Sequence, residues 1–189
     1  MENQKEQTLV EALKEATKKA FVNLFAQNPK EHFYYCTLVL IEAQGCPVVS
    51  AMSEEALDRV IKKYIEEYKV EDSPENLRQD LKWSYADSPY NLYGEQYFTK
   101  VQQIVEERDA KLQSDEDFEQ EYEIRMNIME KVMADLDQEG IFGSGEQRNR
   151  IVVAAEVMPP DDTNTSRVLR LNAKENLKEW LEEAAEELE

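Results

Sequence analysis

The side chains best suited to nucleophilic or metal chemistry in this sequence are one histidine, His32, and two cysteines, Cys36 and Cys46. Metal sites usually assemble several such ligands at set spacings, and His32 has no such neighbour in the sequence. On a strand, His32 and Cys36 would share one face but lie about 13 Å apart, too far for proton transfer. The sequence therefore predicts no metal site and no Cys–His catalytic pair, and we expect no cofactor.

A glycine-rich segment at residues 140–150 is a second candidate for chemistry. Its backbone amides could approach an anion, with Arg148 or Arg150 as a charged partner. The segment lacks the lysine and hydroxyl of a P-loop, and it follows a helical pattern instead of a strand. A loop at the C-terminal end of a helix is the favoured interpretation.

Aromatic residues cluster with small polar ones at the end of a predicted strand. Trp83, Tyr85 and Tyr90 are of the type that interfaces use as anchors, although aromatic residues also form core walls. Together with Asp87 and Arg148, these aromatic walls could orient a small polar ligand. These five residues are the candidate binding site that the sequence predicts.

The charge of the chain restricts its partners. The sequence carries 41 acidic and 22 basic residues, which gives a net charge of −19, and 41% of its residues are hydrophobic. Such a chain can form a core, and its field repels phosphate backbones and anionic lipids. We therefore expect no binding to nucleic acid or membrane, and either solubility alone or capture of a basic protein.

The first residues and the cysteines indicate a compartment. Residues 1–7 contain no basic region followed by an apolar core, so they do not resemble a signal peptide. The two cysteines have no CxxC spacing and are expected to be free thiols in a reducing environment. We expect a cytoplasmic protein.

Patterning predicts five helices and five strands. Helices are expected up to Asn28, from Ser53, from near Gly94, from a capping box at Ser114 and Asp117 to Gly140, and over a C-terminal stripe with Asn172 as its N-cap. That stripe consists of Leu177, Trp180, Leu181, Ala184 and Leu188. The strands are expected at residues 33–41, 47–52, 81–85, 151–158 and 167–171, the first of them central and apolar on both faces. The first two form a hairpin that places Cys36 near Ala51.

The resulting order is αββαβααββα. Helices in blocks beside hairpins are typical of an α+β fold. We therefore predict one α+β domain over residues 1–189, with a largely antiparallel sheet of about five strands and amphipathic helices packed on it.

Several segments occur in an order that resembles a known family. They are the helix with Lys18-Lys19-Ala20-Phe21 leading into Phe33-Tyr34-Tyr35, then Ser53-Glu54-Glu55-Ala56-Leu57, Trp83-Ser84, Asp87-Ser88-Pro89-Tyr90, and Gly140 to Gly143 before a strand. Their order over nearly the whole chain resembles the bacterial domain-of-unknown-function 4303 family. The resemblance implies a compact stand-alone domain and supplies no catalytic residue.

Two functions remain open at this point. The first is a non-enzymatic binding protein for a cationic partner, such as an immunity-type protein that neutralises a basic toxin, with electrostatic steering of association. The alternative is a small-molecule ligand-binding domain or enzyme with its site near the segment 83–90. The acidic charge favours the first, and the aromatic segment favours the second.

Overall fold

The computed structural model describes residues 2–42 and 45–187. Over these residues the chain forms eight α-helices, three β-strands and two short 3-10 turns. The helices are α1 (Glu2–Gln27), α2 (Glu54–Glu66), α3 (Pro74–Leu81), α4 (Thr99–Asp109), α5 (Asp115–Gln138), α6 (Gly145–Asn149), α7 (Asp162–Leu171) and α8 (Lys178–Glu183). The strands are β1 (Phe33–Ile41), β2 (Val48–Ser53) and β3 (Val152–Met158), and the 3-10 turns are Glu95–Tyr97 and Lys174–Asn176.

The sheet is mixed, with the strand order β2-β1-β3. β1 pairs with β2 in antiparallel orientation and with β3 in parallel orientation. Residues 34–40 of β1 are all buried, which confirms the prediction of a central strand covered on both faces. Cys36 pairs with Ala51, so the predicted register of the hairpin is also confirmed.

The prediction of a largely antiparallel, five-stranded sheet is wrong, although the α+β class holds. The expected third strand, residues 81–85, is instead the end of α3 followed by turns. Ser73 accepts a hydrogen bond from the Asn76 backbone, and Pro74 occupies the first helical turn. These are helix-start signals, and they outweigh a short alternation of polar and apolar residues. In the helix, Leu77 and Leu81 lie about one turn apart and both are buried.

The expected fifth strand, residues 167–171, is the second half of α7. Asp161 caps this helix by accepting a hydrogen bond from the Thr163 backbone. The buried face of α7 includes Asn164, Arg167 and Val168, at helical spacing. A search for apolar periodicity misses such a helix because two of these three residues are polar.

Polar side chains of α7 and of the residue after it close the outer edge of β3. Asn172 Oδ1 accepts from Val153 N (3.0 Å) and its Nδ2 donates to Val153 O (2.7 Å). Asn164 makes the same pair of bonds with Val157, at 2.8 and 3.0 Å. Arg167 Nε donates to the carbonyl of Ala155 between them, at 2.8 Å. The side chains thus replace a neighbouring strand and satisfy backbone groups that an exposed edge would leave open.

The outer edge of β2 is closed by the segment 85–93. Tyr93 N donates to Val49 O at 3.1 Å, and the Ser88 hydroxyl donates to the carbonyl of Ala51. Both edges of this sheet are therefore covered by segments that are not strands. Three strands suffice because the flanking residues supply the missing hydrogen bonds.

Several local predictions are confirmed. α1 ends at Gln27 before Pro29, Ser53 caps α2, Ser114 and Asp117 form a capping box at the start of α5, and Gly140 follows α5 with a positive φ of 77°. Helix α1 contacts both α4 and α5, and α5 also contacts β1 and β3. None of the helices in the described part of the chain is long and apolar enough to cross a membrane.

The C-terminal stripe is partly confirmed. Leu177 and Trp180 are buried at 0% and 3% exposure, so the stripe packs on its own domain. The helix is shorter than expected, however, and Asn172 does not cap it because its amide is bound to β3 and α7. Leu188 lies outside the described residues.

Candidate functional site

A groove of about 930 Å³ lies at the N-terminal ends of the parallel strands β1 and β3. Phe33 and Tyr34 of β1, together with Ile151 and Val152 at the start of β3, form its floor. Its walls come from four other places: the residues after α1, the turn after α3, the loop between α5 and α6, and the segment from the last 3-10 turn into α8. Both tryptophans of the chain, Trp83 and Trp180, line it.

One corner of the groove combines an ammonium group, an aromatic ring and two carboxylates. Lys82 Nζ lies 2.5 Å from Glu179 Oε1 and 3.0 Å from Glu183 Oε2, and 5.0 Å from the centre of the Trp83 ring. Trp83 Nε1 donates to the same oxygen of Glu183 at 2.8 Å. Burial acts to lower the pKa of Lys82, but the hydrogen bonds to Glu179 and Glu183 outweigh it and the pKa is raised. Lys82 is therefore charged at neutral pH.

The aromatic residues at this corner are held by contacts between β1 and the turn after α3. Tyr34 donates its hydroxyl hydrogen to the carbonyl oxygen of Lys82 at 2.7 Å. The Trp83 ring stands perpendicular to Tyr34 and Tyr35, with centroids 5.4 and 5.7 Å away. These edge-to-face contacts orient the indole, so Trp83 is positioned by β1 although it belongs to the turn after α3.

A second wall carries His32, whose side chain is 78% exposed. Its Nδ1 lies 2.6 Å from Glu55 Oε1, and its backbone N–H donates to Glu55 Oε2 at 2.8 Å. These two hydrogen bonds, the backbone one first, lower the pKa of Glu55 to about 2. Nearby, Glu31 is paired with Arg59 at 2.7 Å, so its charge is already compensated.

The third wall is the glycine-rich loop with α6. Gly143 has a φ of +90°, a backbone conformation that residues with a side chain rarely adopt, so this turn favours glycine. Glu146 and Arg150 are exposed on this wall, and within the described part of the chain neither has a salt bridge. They are the charged side chains of this wall that remain open to a ligand.

The five residues predicted as a binding site do not lie together in one cavity. Trp83 lines the groove. Asp87 lines a separate cavity of about 330 Å³ with Tyr64, and it accepts hydrogen bonds from Tyr64 (2.5 Å) and Ser84 (2.5 Å). Neither cavity contains both Asp87 and Arg148.

The other three predicted residues have structural partners and line neither cavity. Arg148 binds Asp137 (2.5 Å), the carbonyls of Ile151 and Leu171, and Asn172, and so ties α5, β3 and α7 together. Tyr90 is buried and accepts from Arg59 at 3.0 Å, and burial raises its pKa to about 12. Tyr85 contributes its carbonyl, which accepts from Ser50 at 2.8 Å.

A buried carboxyl lies behind the groove on β3. Glu156 is 4% exposed and accepts hydrogen bonds from the hydroxyls of Tyr35 and Thr37, the latter at 2.6 Å. Burial raises the pKa of Glu156, against the opposing effect of these hydrogen bonds and of the Arg167 charge. The same burial raises the pKa of Tyr35. This cluster could not be predicted from the sequence, because a glutamate within an apolar strand gives no indication of its partners.

Neither thiol is activated. Burial raises the pKa of Cys36 well above its ordinary value and that of Cys46 to about 12, so both are protonated at neutral pH. Across residues 2–42 and 45–187, no group of three or more His, Cys, Asp or Glu side chains is arranged to hold a metal ion.

Most of the residues that line the groove were not predicted from the sequence. Lys82 and Glu179 gave no signal as charged residues in a highly charged chain, Arg150 was considered only as a partner for an anion, and Trp180 was assigned to the core alone. The available signal was the rarity of tryptophan, because the chain has two and both line the groove.

A comparison with family models places this chain. The model described as Domain of unknown function (DUF4303) matches residues 13–173. The chain belongs to the DUF4303 family. The match confirms the resemblance and covers the floor of the groove and three of its walls, whereas α8, with Glu179 and Trp180, lies beyond the matched residues. No curated protein and no solved structure matches the chain significantly.

Proposed function

We propose that this protein is a non-enzymatic binding protein that captures a cationic partner protein in the groove. The observation that carries the proposal is the composition of the groove, which is lined by four glutamates, one lysine and one arginine together with two tryptophans. Glu31 and Glu54 are paired with arginines outside the groove, which leaves Glu146 and Glu179 as the carboxylates for a partner. Aromatic faces and carboxylates together favour ammonium and guanidinium groups. An immunity-type protein that neutralises a basic toxin would fit this description.

Long-range electrostatics support the same partner class. A net charge of −19 attracts a basic protein from a distance and speeds association at low ionic strength. The groove then supplies the local recognition that a diffuse field lacks. Glu179 is 66% exposed and Glu146 has no salt bridge in the described part of the chain, so both carboxylates are accessible to a partner.

The groups of the groove are of the kind that recognise cations, because carboxylates and indole rings line it. The two thiols supply no nucleophile, since burial keeps both protonated at neutral pH. We therefore place the function in recognition.

The test uses the two tryptophans as reporters. N-acetylated, C-amidated tetra-arginine is titrated at ~50 mM salt, where surface electrostatics are weakly screened, and tryptophan emission is recorded. Because Trp83 and Trp180 both line the groove, a ligand that enters it changes the emission. We expect saturable binding that weakens as salt is raised.

A charge-matched pair of double variants separates the groove from the overall field. Glu146→Gln with Glu179→Gln removes two groove carboxylates, whereas Glu119→Gln with Glu182→Gln removes two exposed ones outside it. We expect the first pair to weaken binding about five- to tenfold and the second less than about twofold. Equal losses in both, or no binding by the wild type at ~50 mM salt, would refute the proposal.

A second candidate is a small-molecule binding domain that uses the same groove. Its volume of about 930 Å³ falls within the usual range of ligand pockets. Spermine carries the same number of positive charges as the blocked tetra-arginine. Tighter binding of spermine would favour the small-molecule function, and tighter binding of tetra-arginine the protein-binding one.

A further inference from the structure

Lys82 already occupies the position in the groove that is best suited to a cation. Its ammonium contacts Glu179 and Glu183 and lies over the Trp83 ring, and its side chain is only 13% exposed. Two carboxylates and an indole face are the groups that would recognise a lysine or arginine of a partner. The groove therefore contains a cation site that is filled from within the chain.

We propose that Lys82 is an internal occupant of this cation site and that an arginine of the partner displaces it. The inference rests on the proposed function, because it concerns the same groove. The exchange leaves both carboxylates paired throughout, with Lys82 before binding and with the partner's arginine afterwards. Lys82 can leave because it reaches the site on a flexible side chain from the turn after α3, and its ammonium is well hydrated in water.

The geometry favours arginine over lysine as the displacing group. Guanidinium presents a planar fork of donors that can bind two carboxylates at once, and it stacks on an indole more readily than ammonium. Glu179 is 66% exposed, so an arginine can approach it from solvent before Lys82 has left. A partner lysine would only replace one ammonium with another.

An internal occupant raises the selectivity of the site. A ligand binds only to the fraction of molecules in which the site is open, so its apparent affinity falls by that fraction. Weakly bound cations then compete poorly with Lys82, while a segment with several basic groups gains enough contacts to displace it. Removing the occupant is expected to tighten cation binding about five- to tenfold, which is the range of a partly exposed ion pair combined with a cation–π contact.

The experiment compares Lys82→Met with Lys178→Met in the tetra-arginine titration. Both variants remove one positive charge, so the long-range field changes equally, but Lys178 is exposed and does not line the groove. We expect Lys82→Met to bind tetra-arginine about five- to tenfold more tightly than Lys178→Met. Lys82→Arg keeps a cation in the site and is expected to bind no more tightly than the wild type.

The internal-occupant inference can fail while the proposed function stands, and the experiment separates the two. Circular dichroism melting first establishes that the variants are folded, and Lys82→Gln replaces Lys82→Met if the latter is unfolded. Suppose the wild type binds tetra-arginine and loses affinity with Glu146→Gln and Glu179→Gln. Equal or weaker binding by the Lys82 variant, relative to Lys178→Met, then overturns the internal-occupant inference and leaves the groove proposal standing. If the wild type shows no groove-dependent binding, the proposed function itself fails.

Discussion

Replacement of Asn172 by leucine should destabilise the protein by opening the edge of β3. The Asn172 side chain makes four hydrogen bonds, two of them with the N–H and C=O of Val153. Val153 is fully buried, so water cannot replace these partners. An unsatisfied buried group costs about 1–3 kcal/mol, and leucine preserves the approximate volume of the side chain. For two such groups, partly relieved by relaxation, we expect a loss of about 3 kcal/mol in the free energy of unfolding.

Urea denaturation followed by circular dichroism measures this loss. With a slope near 2 kcal/mol per molar urea, the midpoint should fall by about 1.5 M. The matched control is Asn127→Leu, an exposed position on α5 that should change stability by less than about 0.5 kcal/mol. If Asn172→Leu is no less stable than Asn127→Leu, the view that this amide replaces a neighbouring strand is refuted. Concentration-dependent light scattering should also rise in Asn172→Leu, since an open strand edge promotes association.

Three further predictions concern buried groups. Trp180→Ala should lower stability by about 3–5 kcal/mol in a melting experiment, because the ring is 3% exposed; an unchanged melting temperature would show that α8 contributes nothing to the core. Burial raises the pKa of Glu156, so its contribution to stability is complete below the ordinary value near 4.3 and is lost as pH rises through the folded pKa. The stability of Glu156→Gln relative to wild type should therefore increase with pH above about 4, and a pH-independent difference would contradict this. In thiol titration, half-buried Cys46 should react before fully buried Cys36, which should react only on unfolding; equal rates would argue against the burial of Cys36.

Local signals in the sequence were sufficient for several elements. Ser53 and the Ser114–Asp117 pair marked helix starts because a side-chain cap acts within one turn of the chain. The nearly continuous apolar run 33–41 indicated a strand covered on both faces, and the short hairpin loop determined which residues of β1 and β2 are paired. Each of these features depends on residues close together in the chain, which is why sequence reasoning reached them.

The two strand predictions that failed depended on distant partners. The segment 167–171 is helical because Asn164, Arg167 and Asn172 bond to the edge of β3, an edge that exists only once β3 has paired with β1. Residues 81–85 alternate in polarity, but the helix start at Ser73 and Pro74 decided their backbone. The number of strands therefore followed from how edges are closed and not from apolar periodicity.

The candidate site likewise depends partly on composition and partly on contacts between distant residues. Composition determined the acidic charge, and the rarity of tryptophan was a signal that could have singled out Trp83 and Trp180. Only the tertiary structure brought Trp180 together with Lys82 and Trp83, while it directed Arg148 into a structural clamp. The physical reason is that a groove belongs to the surface between elements: its walls meet where strand ends, turns and the last helix converge, and that convergence depends on contacts between residues about a hundred positions apart, such as Lys82 with Glu183.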